Sequence, residues 1–321
     1  MKHELITPGQ MAGNHEYRVK SPLASRREFL AAGVKTTLGT CALALLPTSQ
    51  LPAAEAKKGA KVRFGFTSYQ WGKDWDIPTT IANLQQAKVY GVELRTSAKY
   101  AHGVELTLNA DQRKEVKKRF ADSPITLVGI CSAERMDWPD AGKLKTAIEA
   151  AKAHIKLSHD VGATGVRVFP NQWNPNVAHE KTIEQIARSV DEIGAFAAEY
   201  GQEVRLEAHG PAGELPTLRA IMDQVKQPKV RIKLNSDARD AAGNGFEANF
   251  KLVKNFLGHT LHAHNLKDEK FPYQLQIDLL VKLDWDGWGL LEASDQVPDR
   301  VQALTEQRQL WEQMVAKAMQ S

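Results

Sequence analysis

From residue 61 to residue 319 a short apolar run followed by a longer stretch of helical periodicity recurs eight times. Few folds satisfy that alternation. Strands separated by helices pair in parallel, because each helix returns the chain to the same end of the sheet. Eight such units close into a barrel, which takes roughly 250 residues as one domain. The chain of 321 residues supplies that with a leader to spare. The spacing predicts strands at 62–68, 91–95, 125–130, 165–169, 204–208, 230–235, 261–266 and 288–293. Helices are predicted over 78–90, 109–121, 141–161, 183–200, 215–225, 248–257, 272–283 and 301–319. Asn109 and Gln112 have the spacing of a capping box, and Gly162 and Gly201 stand where helices should stop. No linker rich in Pro, Gly or Ser interrupts residues 57–321. The expected fold is therefore α/β, a single (β/α)8 TIM barrel.

Side chains alternate faces along a strand. Arg205, Glu207 and His209 share one face, against Val204, Leu206 and Ala208. Lys233, Asn235 and Asp237 oppose Ile232 and Leu234; Glu93 and Arg95 oppose Val92 and Leu94; Arg167 opposes Val166 and Val168. The apolar faces should meet the helices, leaving the polar faces in the lumen. Buried charges must be paired or metal-bound. Because the acids stand at strand ends, where barrel enzymes keep their chemistry, the pattern points to a site at the carboxyl mouth. A lumen ion pair between Glu207 and Arg205 or Arg167 is the structural alternative.

The leader reads as an address. Ser25-Arg26-Arg27-Glu28-Phe29-Leu30, a moderate apolar run over 31–47 and Ala54-Glu55-Ala56 make a twin-arginine export signal over residues 1–56. This implies a periplasmic or otherwise exported protein. Lys35, Thr36, Thr37, Gly39 and Thr40 interrupt the apolar run, so no stable membrane anchor is expected. Residues 1–56 hold six Lys/Arg and four Asp/Glu, and without them the net charge falls from +4 to +2. That balance excludes a nucleic-acid surface. The two cysteines are Cys41, in the leader, and Cys131, so neither an internal disulfide nor a cysteine-based zinc site is expected in the mature chain.

The clusters Glu207-x-His209-Gly210, Leu234-Asn235-Ser236-Asp237, His262-x-His264-Asn265-Leu266, Pro272-Tyr273 and Gly287-Trp288 with Leu291-Glu292 carry a resemblance. In that order, over about residues 60–321, the chain resembles the xylose isomerase-like barrel superfamily of sugar isomerases and epimerases, which also includes endonuclease IV. It looks most like exported sugar phosphate isomerase/epimerase-like proteins. The resemblance implies one divalent metal ion (manganese, magnesium, cobalt or zinc) held by Glu207, Asn235, His264 and Glu292. Asn235 departs from the usual aspartate. Its amide oxygen can ligate a hard cation with less charge, and Asp237 or His209 stand on a suitable face to substitute. The implied chemistry is enediolate proton transfer by Glu207, Glu292 and His209. The implied partner is a small, non-phosphorylated carbohydrate or oxidised sugar derivative, met by Tyr69, Trp71, Glu93, Arg95, Asp237, His262 and Lys267. An oligomer is compatible with this reading. Two alternatives stay open: a lyase acting on a keto-glycoside through the same site, and a carbohydrate-binding barrel without chemistry.

Overall fold

The structure, a computed structural model, describes Gly59 and residues 61–320. The export signal expected over residues 1–56 lies outside the described residues. Eight parallel strands alternate with eight helices: β1 Val62–Thr67, α1 Ile77–Ala87, β2 Gly91–Arg95, α2 Ala110–Ala121, β3 Thr126–Arg135, α3 Ala141–Asp160, β4 Gly165–Phe169, α4 His179–Glu199, β5 Glu203–Glu207, α5 Leu215–Met222, β6 Val230–Lys233, α6 Phe246–Val253, β7 Thr260–Ala263, α7 Tyr273–Lys282, β8 Gly287–Leu291 and α8 Arg300–Ala318. The sheet runs β6-β5-β4-β3-β2-β1-β8-β7. Across the remaining seam, Gly258 N donates to Ile232 O (2.9 Å) and His262 N to Leu234 O (2.8 Å), which draws β6 and β7 together into a (β/α)8 TIM barrel. Among the described residues no helix is long and apolar enough to cross a membrane.

Local sequence explains the element ends. Asn109 and Gln112 form the reciprocal capping box of α2, and Asp76, Asp140 and Asp299 cap α1, α3 and α8. Strand lengths differ from expectation in three informative places. β3 continues through Cys131 to Arg135, past the predicted Ile130, because Arg135 still pairs with Phe169 of β4. β6 stops at Lys233 and β7 at Ala263, so Asn235 and His264 lie just beyond the ladder.

The parity argument holds. Val92, Leu94, Val166, Val168, Val204, Leu206 and Ile232 are buried in the apolar core. On the opposite faces, Glu93, Arg167, Arg205, Glu207, Lys233 and His262 are buried in the lumen, where Glu93 bonds to Lys233 and His262 across the ring and Arg167 pairs with Glu207. Arg205 forms the lower layer: its Nε donates to Glu203 Oε2 (2.8 Å), NH1 to Val128 O (3.0 Å) and NH2 to Thr164 Oγ1 (2.9 Å). Gly129 makes room for it, since a Cβ there would stand 2.3 Å from Arg205 NH1.

Candidate active site

Glu93, in the middle of β2, anchors the upper lumen. Lys233 Nζ, from β6, donates to both its oxygens at 2.7 Å, and His262 Nε2, from β7, lies 2.8 Å from Oε2. All three side chains are fully buried. Burial alone would raise the Glu93 carboxyl; Lys233 and His262 outweigh it and hold the group ionised, far below the usual carboxylate range. A carboxylate only accepts, so the His262 proton on that side belongs to Nε2.

The other ring nitrogen decides the site. His262 Nδ1 faces Glu292 Oε2 at 3.5 Å and Glu207 Oε1 at 3.6 Å, and it has no hydrogen-bond partner. Those separations are too long for hydrogen bonds. The gap between two carboxylates and an imidazole nitrogen draws positive charge. Burial and Lys233 lower the proton affinity of His262, but Glu292 and Glu207 outweigh them and raise it.

Each glutamate turns its second oxygen to a guanidinium. Arg167 Nε is 3.1 Å from Glu207 Oε2, and Arg95 NH1 is 3.2 Å from Glu292 Oε1. Arg167 also donates to Cys131 Sγ, from Nε at 3.1 Å and NH2 at 2.8 Å. Burial pushes the Cys131 thiol up to about 12, which makes it a neutral acceptor and no nucleophile. Burial would raise Glu207 too; Arg167 and His262 overcome it and hold the carboxyl well below its ordinary range.

One ligand atom each from Glu207, His262 and Glu292 lies within 4.8 Å of the others. Two carboxylate oxygens and one imidazole nitrogen fit a divalent cation. The Glu93 contact supplies what a ligating histidine needs, an acceptor on the other nitrogen that fixes ring and tautomer. Asn235 Oδ1, just past the end of β6, is buried without a hydrogen-bond partner. Glu93, Cys131 and His262 also lie close together. Lys233 and Arg167 bring two cations to that second group, so it suits a metal poorly.

The expected residues sort as follows. Glu207, Glu292 and His262 converge; His264 does not join them. Beyond the end of β7, its Nδ1 lies 3.2 Å from the Glu292 carbonyl and its backbone N–H donates to the Tyr273 hydroxyl (3.0 Å). Glu93, expected at the substrate, has both oxygens committed and no exposed surface. Asp237 pairs with Arg239 (3.2 Å) and caps a short 3-10 turn, Ala238–Ala241. Lys267 turns away to Glu306 (3.1 Å). Trp71 is buried and donates to Asp295 O (2.8 Å). Tyr69 and Arg95 do stand at the mouth, the guanidinium 4.6 Å over the ring. His209 is half-buried beside Phe169, and burial lowers its proton affinity. Its Nδ1 lies 3.1 Å from the Asn171 side-chain amide. With the amide nitrogen there, Asn171 donates to Nδ1 while its oxygen accepts from Arg135, leaving the His209 proton on Nε2. Gly210, at φ +69°, keeps this loop tight: a Cβ would stand 2.1 Å from Asn171 O. Arg167 and Lys233 lie on the lumen face that parity marks, but parity does not tell which acid each meets. Nothing in the sequence pattern singles out Asn171 or Tyr100.

A family model described as xylose isomerase-like TIM barrel matches residues 81–314. Solved structures of similar fold include 3-keto-D-glucoside 4-epimerase (YcjR) from E. coli, with TM-score 0.65, 13% identity, 79% of this chain and 100% of that one. D-psicose 3-epimerase from Clostridium cellulolyticum H10, solved with D-tagatose, has TM-score 0.65 at 14% identity over 80% and 99% of the two chains. An L-ribulose 3-epimerase has TM-score 0.67 at 13% identity over 81% and 96%. No curated protein matches the chain.

Proposed function

Because the chain belongs to the xylose isomerase-like TIM barrel family, we propose that it is a metal-dependent sugar isomerase or epimerase. The observation that carries this reading is the unpartnered His262 Nδ1, facing one oxygen each of Glu207 and Glu292 at 3.6 and 3.5 Å. The solved epimerases of similar fold support it. Glu207, His262 and Glu292 would hold the cation, with Asn235 Oδ1 as a further oxygen. When bound, the ion would polarise a substrate carbonyl and its neighbouring hydroxyl, which acidifies the C–H between them.

The protein's own groups handle the proton. Glu292, the more exposed of the two glutamates at 13% against 2% for Glu207, takes the proton from carbon, and the C–H electron pair moves into the carbonyl. The Glu292 carboxylic acid then returns that proton at the neighbouring carbon, which restores the carboxylate, while the neutral His209 offers its Nε2–H as a hydrogen-bond donor to a substrate oxygen. Arg167 keeps Glu207 ionised, so Glu207 holds the cation throughout rather than exchanging its proton. Export by the twin-arginine route, read from Arg26 and Arg27, would place the activity outside the cytoplasm, where non-phosphorylated carbohydrates are the available substrates.

The test is exchange of substrate C–H for deuterium in heavy water, with divalent metal supplied. Glu292→Gln keeps the shape and loses the base, so exchange should fall by roughly 10²–10⁴-fold. A wild-type protein that binds metal and sugar yet never exchanges a proton would leave a carbohydrate-binding barrel as the reading.

A further inference from the structure

We propose that the substrate of this site is a sugar acid, and that Arg95 receives its carboxylate between the hydroxyls of Tyr69 and Tyr100. The inference rests on the reading of the site as a sugar site and names the class of sugar.

The first observation is charge balance. The three glutamates of the upper lumen each already have a cation: Glu93 with Lys233, Glu207 with Arg167, and Glu292 with Arg95. A divalent cation at Glu207, His262 and Glu292 therefore adds two uncompensated charges to an enclosed, low-dielectric space. An uncompensated buried charge is expensive. A neutral sugar leaves that excess in place; a carboxylate removes half of it before any proton moves.

The second observation is a set of unused donors beside Glu292. Arg95 is part-exposed at the mouth, and its only side-chain hydrogen bond among the described residues is the one from NH1 to Glu292. A guanidinium offers five N–H donors in a planar fork that matches a carboxylate. The guanidinium stands over the Tyr69 ring, 4.6 Å from its centroid, a contact that uses none of its N–H donors. The Tyr100 phenol lies within electrostatic reach of Arg95, Tyr69 and Glu292. Neither phenol hydroxyl has a hydrogen-bond partner among the described residues, and both side chains are part-exposed.

The other arginines of the mouth are spent. Arg135 grips both oxygens of Asp137. Arg239 donates to the carbonyls of Gly210 (3.0 Å) and Ala208 (2.7 Å). A single free fork with two phenols suits a planar monoanion better than a phosphate, whose three terminal oxygens call for more donors.

The experiment is calorimetric titration of the full chain, loaded with Mn²⁺, with D-glucuronate and D-galacturonate against D-glucose, D-galactose and D-glucose 6-phosphate. The uronates should bind about tenfold or more tighter than their neutral counterparts, the difference one charge-assisted hydrogen bond supplies. Within Arg95→Gln the uronates should bind no more than about twofold tighter than their neutral counterparts, while Arg95→Lys, which keeps charge without the fork, should restore part of the preference. Mn²⁺ affinity, titrated separately, should not fall in Arg95→Gln. Equal binding of acidic and neutral sugars overturns the inference and spares the sugar-site reading. So does an Arg95→Gln loss shared equally by both classes. Tighter binding of the sugar phosphate overturns the choice of carboxylate. A protein that binds none of the five overturns both readings together.

Discussion

Glu93→Gln separates the orientation of His262 from the chemistry around it. The substitution keeps volume and removes the charge that accepts two bonds from Lys233 at 2.7 Å and one from His262 Nε2 at 2.8 Å. A glutamine has one acceptor oxygen and an NH2 group, so at least one of Lys233 and His262 must face a donor. Lys233 is left as a fully buried ammonium without a counter-ion. Breaking a buried pair in this way costs about 3–5 kcal/mol. Losing the carboxylate behind a ligating histidine weakens metal binding by about 10–100-fold. Denaturant unfolding of metal-free protein measures the first effect, and Mn²⁺ titration of chelator-stripped protein the second. Adding Lys233→Met to Glu93→Gln removes the orphaned ammonium. Stability should largely return in the double variant, while metal affinity should stay below wild type, because a neutral amide oxygen replaces the carboxylate behind His262 and raises the basicity of its other nitrogen less. Wild-type Mn²⁺ affinity in Glu93→Gln, or restored affinity in the double variant, would refute the idea that Glu93 positions His262.

Three further outcomes are expected. Asn235→Asp adds a negative charge to a buried oxygen that has no hydrogen-bond partner, so Mn²⁺ should bind more tightly by calorimetry; proton exchange need not rise with it, because a better-neutralised cation polarises a carbonyl less. At the opposite end of the barrel, burial pushes Glu203 up, but His259 and Arg205 outweigh it and lower the carboxyl from 4.5 to about 2. A depressed carboxyl stabilises above its unfolded pKa and loses that stability as pH falls through its folded one, so about 3 kcal/mol should disappear between pH 5 and pH 2; Glu203→Gln should flatten that part of the unfolding curve. Arg26→Lys with Arg27→Lys should trap the precursor in the cytoplasm on fractionation, since the export route reads the arginine pair.

The barrel was legible in the sequence because its signals are local. Strand parity and helix periodicity depend on neighbours a few residues apart, and each repeats eight times, so an error at one boundary does not change the count. The same parity put Glu93, Arg167, Glu207 and Lys233 in the lumen, since hydrophobic residues on the other face had to meet the helices. Glu292 needed only its place near the end of the last predicted strand. What local signals cannot carry is distance across the ring. Glu207 had Arg167 and Arg205 as equal candidates, and the tertiary structure chose: Arg205 sits a layer lower, where Glu203, Val128 and Thr164 use up its donors. His262 and His264 have the same parity, and the choice between them depends on where β7 stops. The ladder ends at Ala263, so His264 lies outside it, whereas His262 is still held at lumen geometry by its hydrogen bond to Leu234. Glu93 looked available to a substrate until Lys233, 140 positions away, closed over it. Lys267 was aimed at the mouth by sequence proximity and away from it by Glu306 on α8. Sequence by itself determined which residue types reach the mouth; the closing of the barrel decided which of them meet, because pairing across a lumen is set by the register of strands that share no local pattern.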